Sequence, residues 1–134
     1  MEKERRKEIV SEINRQIMWS IDRPTYWSWG CDLKLIREYQ GMATLVLHVS
    51  GCLHKGYVYI SLNEASDSYE IRTTSATKGR RPNEEQLQLV KEDVYAEELG
   101  RVLDGIIERK PEWSMEKYRE IAQADSLAKG VAFC

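Results

Sequence analysis

The side chains of this sequence best suited to chemistry are two histidines and three cysteines. His48, Cys52 and His54 lie close together, and Cys31 or Cys134 would supply a fourth ligand. Zinc needs three or four such groups converging as thiolates and neutral imidazoles. The spacing matches no paired Cys-x-x-Cys or Cys/His ribbon, so the expectation is reduced, metal-free thiols beside a polar hairpin loop. Cys52 and His54 sit two apart, as a nucleophile and its base would. No orienting carboxylate or oxyanion site can be identified beside them. The eight glycines are dispersed, with no Gly-x-Ser-x-Gly elbow and no phosphate-cradling loop.

His48-Val49-Ser50 looks like half of a two-histidine phosphoesterase signature, but His54-Lys55-Gly56 does not supply the other half. Asp67 with Glu70-Ile71-Arg72 looks like part of a metal-dependent nuclease site. Such sites want a lysine two residues after the carboxylate, and arginine stays charged and cannot carry a proton. These residues are better read as alternating charges on an exposed strand face. No catalytic residue, metal or cofactor is expected, and the chain is read as a non-enzyme.

Binding is the remaining class. Four Trp and seven Tyr exceed what a small core must hold, and such residues are enriched at interface hot spots. Trp27 and Trp29 share one face of an expected aromatic strand, and Tyr57 and Tyr59 point outward from another; these four are the candidate protein-binding residues. Lys78, Arg80 and Arg81 put three positive charges on one loop, with Lys55 on another and the tyrosines as stacking faces. That would suit nucleic acid, against a sequence pI near 5.8.

The elements that must position these residues follow from periodicity. Ile9, Val10, Ile13 and Ile17 recur at helical spacing, giving a helix from Glu2 to about Met18, with Ser20–Thr25 as the connection after it. Pro24 biases Arg23 away from helical dihedrals. Thr25–Trp29 is rich in strand-favouring aromatics. Residues 32–40 suit either a strand or a helical turn. Met42–Val49, Tyr57–Asn63 and Ser68–Thr74 alternate with period two and form an antiparallel meander, the first two joined by a Ser50–Gly56 loop. Ser75–Asn83 reads as a surface loop. Gln86–Val90 is a short fifth strand or the opening of a helix capped by Asn83, the strand being preferred. Asp93 is read as the N-cap of a helix with Leu99, Val102, Leu103, Ile106 and Ile107 as its stripe, ended by Pro111. Ser114 caps the last helix, with Met115, Tyr118, Ile121 and Ala122 buried and Gly130 as its stop.

Composition sets the outer bounds. The 134 residues are 42 % hydrophobic and 31 % charged, an ordinary globular mixture and one domain's length, 1–134. No stretch is long and apolar enough for a bilayer, and the charged N-terminus is no signal peptide. A cytoplasmic protein with reduced cysteines is expected. The net charge of -2 hides an asymmetry: residues 1–83 carry 13 Lys/Arg against 10 Asp/Glu, and 84–134 carry 7 against 12. Acidic helix surfaces at one end account for it without a charged partner.

Gly56-Tyr57-Val58-Tyr59-Ile60-Ser61-Leu62, leading to Asp67-Ser68-Tyr69-Glu70-Ile71, is similar to a pattern in small uncharacterised proteins of Bacteroides-type bacteria, their phages and conjugative elements. Asp93-Val94-Tyr95-Ala96-Glu97-Glu98-Leu99 resembles the acidic-capped helix start of that family. The likeness covers roughly residues 9–109, in order. Trp27-Ser28-Trp29-Gly30 stands where the family often has a Met-Thr-Gly-like turn, and the last helix lies outside the likeness. The resemblance implies the element order and a mobile-element setting, and no activity. The expectation is an α+β fold: an N-terminal helix, an antiparallel sheet of four to five strands, and two C-terminal helices packed on the sheet. Its expected role is that of a protein-interaction or accessory protein, or alternatively a nucleic-acid-binding accessory protein using the 78–81 loop.

Overall fold

A computed structural model describes residues 2–128. Helix α1 (Lys3–Ser20) forms on the expected stripe, burying Val10, Ile13 and Ile17. A second, short helix, α2 (Arg23–Ser28), replaces the strand expected at Thr25–Trp29. Its cause is local. The Asp22 side chain accepts from the Thr25 N–H at 2.8 Å, and Pro24 stands in the first turn, where a missing N–H costs nothing. Capping outweighs the strand preference of the aromatics.

Five strands follow as one antiparallel sheet in the order β1-β2-β3-β4-β7. They are β1 (Leu33–Tyr39), β2 (Met42–Ser50), β3 (Lys55–Asn63), β4 (Ser68–Thr74) and β7 (Gln88–Val94). The ambiguous stretch 32–40 is therefore mostly strand. Gln40 and Gly41 both have positive φ, 51° and 78°, as a two-residue hairpin turn between β1 and β2 requires. Between β4 and β7 the chain makes a small hairpin, β5 (Thr77–Lys78) with β6 (Arg81–Pro82), and a 3-10 turn at Glu84–Gln86. Asn83 does cap that turn, accepting from the Glu85 N–H at 3.2 Å, but the chain then continues as strand.

Asp93 is not the cap of the next helix. It lies in the left-handed region (φ 55°) inside β7, whose pairing with β4 shifts register along the strand. Val94, wholly buried, pairs with Tyr69 and holds the chain in the sheet one residue further. A 3-10 turn, Ala96–Glu98, leads into α3 (Leu99–Ile107), with the Glu98 carboxylate accepting from the Tyr95 N–H at 3.2 Å. On α3 the buried positions are Leu99, Gly100, Leu103 and Ile107; Val102 and Ile106 are half-buried. Ser114 caps α4 (Met115–Ala128) by accepting from the Lys117 N–H at 3.1 Å. No residue of α4 is fully buried: Met115 is exposed, and Tyr118, Ile121 and Ala122 are half-buried where a buried stripe was expected. Gly130 and Cys134 lie outside the described residues.

The main core lies between α1, α3 and one sheet face: Ala43, Leu45, Leu47 and Val49 of β2, Val58 and Ile60 of β3, and Ile71 of β4. Helices α1 and α3 meet closely. The Gly100 N–H donates to Ser20 Oγ at 2.8 Å, and a Cβ on Gly100 would come within 2.3 Å of that oxygen. Among the described residues no helix is long and apolar enough to cross a membrane.

Candidate functional site

The second sheet face is not open. Tyr57 and Tyr59, expected to point to solvent, are buried with Val46, and Leu35, Tyr39 and Leu87 pack around them. The alternation is as expected; the covering comes from the 75–87 segment, which brings Leu87 and Glu84 back over the face. The Tyr59 hydroxyl donates to Glu84 Oε2 at 2.8 Å, and burial, then that carboxylate, push its pKa upward. Tyr39 meets Tyr59 edge-on at 5.7 Å, and the Arg72 guanidinium lies 5.2 Å from the Tyr39 ring. Arg72 also binds Glu70 at 2.7 Å, and Thr44 and Ser61 share a buried hydroxyl bond. Burial raises the Glu70 carboxyl, but bonds from Asn63 and Arg72 outweigh it and hold it below its usual value. Arg72 and Glu70 are thus an internal ion pair of a largely covered face, not charges on an exposed one.

Trp29 is also withdrawn. It follows α2, is wholly buried, and its Nε1 donates to Asp104 Oδ1 at 2.9 Å. Tyr26 packs on it edge-on at 5.6 Å. Of the four aromatic candidates only Trp27 is exposed, at 69 %. The residue sequence reasoning missed is Trp19, at 86 % exposure on the last turn of α1. Its position two residues after Ile17 turns it away from the buried stripe, and that offset was the available signal. Trp19 borders a groove of about 450 Å³ between α1 residues such as Glu12 and Gln16 and the Ala96–Glu97 turn.

A second cluster joins α2, α3 and α4. Asp104, Arg109, Ser28 and Tyr118 line a cleft of about 390 Å³. Burial, then the charge of Glu108, raises the pKa of Asp104 against the opposing bond from Trp29. Glu108 is itself buried, accepting from the Cys52 N–H at 2.7 Å and the Tyr118 hydroxyl at 3.0 Å. The Leu53 and His54 N–H groups donate to the Ile107 carbonyl at 2.9 and 3.1 Å. The 51–54 loop therefore wraps the end of α3 and supplies donors to groups a helix terminus leaves unpaired. That loop needs glycine at its start, since a Cβ on Gly51 would lie 2.2 Å from the Ile107 oxygen. The carboxylate four residues beyond Asp104, at the end of an apolar stripe, was legible as a polar residue in an apolar place.

Cys31, His48, Cys52 and His54 form no ligand set of three among the described residues. His48 Nδ1 lies 2.7 Å from Asp32 Oδ1, and His54 Nε2 lies 3.1 Å from the Tyr57 carbonyl. Burial lowers the pKa of His54. Among the described residues Cys31 and Cys52 are not joined in a disulfide, and no three His, Cys, Asp or Glu side chains converge. Lys78, Arg80 and Arg81 are exposed on the β5–β6 hairpin. Lys78 and Arg81 line a recess of about 360 Å³ with Arg37 of β1, and Glu84 and Glu85 line it too. Comparison with protein families, with curated proteins and with solved structures finds no match for this chain.

Proposed function

We propose that this is a non-enzymatic protein-interaction or accessory protein, contacting its partner through Trp19 and Trp27 on α1 and α2. The observation that carries the reading is the exposure of those two indoles, 86 % and 69 %, on consecutive helices. Tryptophan is the residue most enriched at interface hot spots. The groove beside Trp19 offers a partner's side chain a place to seat. The resemblance to proteins of Bacteroides-type bacteria and their phages makes a mobile-element setting part of the proposal. The test is capture of partners from a lysate of the source organism, with nuclease present, on the parent and on the Trp19→Ala/Trp27→Ala variant. A stoichiometric protein partner held by the parent and lost by the folded variant supports the proposal. Equal capture by both overturns it.

Nucleic-acid binding is the second reading, favoured by Arg37 sharing the recess with Lys78 and Arg81. Glu84 opposes it, lying 4.0 Å from Arg37, and Glu85 lines the same recess. If Lys78, Arg80 and Arg81 grip phosphates, the log–log slope of affinity against salt is about -2 to -3, and alanine at all three removes most of it. The expectation here is no binding of single- or double-stranded oligonucleotides by parent or variant at physiological salt. Salt-sensitive binding that the triple variant loses would promote this second reading over the first.

A further inference from the structure

The two edges of the sheet differ. On β7 the ladder shifts register, Asp93 sits at positive φ, and Lys91-Glu92-Asp93 crowd three charges together, devices that blunt an edge against pairing. β1 also carries charges, Lys34, Arg37 and Glu38, but no register shift and no positive φ interrupts it. Its seven residues pair with β2 in unbroken register from Leu33–His48 to Tyr39–Met42, and no strand among the described residues lies on its other side. A two-residue turn closes on a hydrogen-bonded pair, here Tyr39–Met42, so the odd residues of β1 bond to β2. Lys34, Ile36 and Glu38 therefore direct their backbone N–H and C=O groups outward.

We infer that β1 pairs antiparallel with β1 of a second copy of this chain, about a two-fold axis at Ile36. A two-fold axis normal to the sheet sets residues of like parity opposite one another, which leaves a few registers. Centring on Arg37 would oppose two guanidiniums, and centring on Leu35 would set Lys34 against Ile36. Centring on Ile36 places Lys34 opposite Glu38 twice, Ile36 opposite itself and Leu33 opposite Tyr39. It uses all seven residues, and roughly six main-chain hydrogen bonds cross the axis. Opposite charges directly across strands stabilise such pairs, while like charges oppose them. Ile36, 48 % exposed, then packs on its own copy across the axis on one face, and Leu33, 41 % exposed, meets the partner's Tyr39 on the other. Lys34 already meets Asn14 at 2.7 Å and the Tyr26 ring at 4.8 Å, and Glu38 meets Arg6 at 3.9 Å, so both charges stand on the helix face of the edge and the cross-strand pairs add to these contacts. The result is one continuous ten-stranded sheet, an association independent of the tryptophan surface.

Sedimentation over about 1 to 100 μM reads the association directly. The parent is expected to move from monomer to dimer across that range. Lys34→Glu and Glu38→Lys each put like charges in opposition and abolish the dimer, with circular dichroism unchanged. Mixing the two single variants restores opposite charges at every crossing and restores a dimer; a dimeric parent beside this result excludes a parallel pairing, which would oppose like charges in the parent. A parent monomeric throughout, single variants that still dimerise, or a mixture that stays monomeric would each overturn the inference.

Discussion

Asp104 accepts the Trp29 indole N–H while half-buried beside Glu108, and its pKa is raised by that burial. The folded protein holds the Asp104 proton to higher pH than the unfolded chain does. Its contribution to stability is therefore complete below the ordinary carboxylate range and is lost as pH rises through the folded pKa. Asp104→Asn keeps an oxygen for Trp29 and removes the titration. Denaturant midpoints should then flatten over that interval, with the variant no less stable than the parent near neutral pH. The tryptophans give a paired prediction. Trp29→Ala, at a wholly buried site, should cost about 3–5 kcal/mol. Trp27→Ala, at an exposed site, should stay within about 0.5 kcal/mol of the parent in the same chemical denaturation. Composition revealed the aromatic surplus but not its distribution. The strand expected at Trp29 rests on its aromatic neighbours, with Pro24 read only as a bar to helix at Arg23; with Asp22 as cap, Pro24 instead opens a helix that includes Arg23. The alternation of Tyr57 and Tyr59 was legible; their burial was not, because it depends on Leu87 and Glu84 returning from well over twenty residues away.

Helices α3 and α4 stand at opposite ends of the stability scale. Leu99, Leu103 and Ile107 of α3 reach the main core with no exposure, so Leu103→Ala should cost about 2–5 kcal/mol in urea or thermal denaturation. An unchanged midpoint would contradict that packing. Helix α4 buries no residue completely and is tied to the body by bonds such as Tyr118 to Glu108 and Lys55 to Asp125 at 2.7 Å. Its amides should exchange with deuterium well before those of α1, since local opening there exposes little apolar surface. The strands were the most legible elements, because β2, β3 and β4 alternate cleanly with short turns between them. The β7–α3 junction was not. Asp93 carries a cap-forming side chain, yet the burial of Val94 against the sheet decides where the strand ends.

Across the described residues, the helices take one face of the sheet and the 75–87 segment covers much of the other, which leaves helix surfaces, strand edges and the hairpin tip as the candidate surfaces. The charge asymmetry between residues 1–83 and 84–134 follows the chain order but does not by itself select among these places. The sequence made the α+β order readable, while the exposed side chains that distinguish the candidate surfaces emerged only from the assembled fold. Oxidative footprinting of the tagged protein, in buffer and in nuclease-treated lysate of the source organism, separates partner binding through the indoles from binding through the hairpin tip. It reads the accessibility of Trp19, Trp27 and the 78–81 tip at once. Protection of Trp19 and Trp27 in lysate, with the tip unchanged, is expected; protection of the tip while both tryptophans stay as reactive as in buffer would rule out partner contact through the indoles.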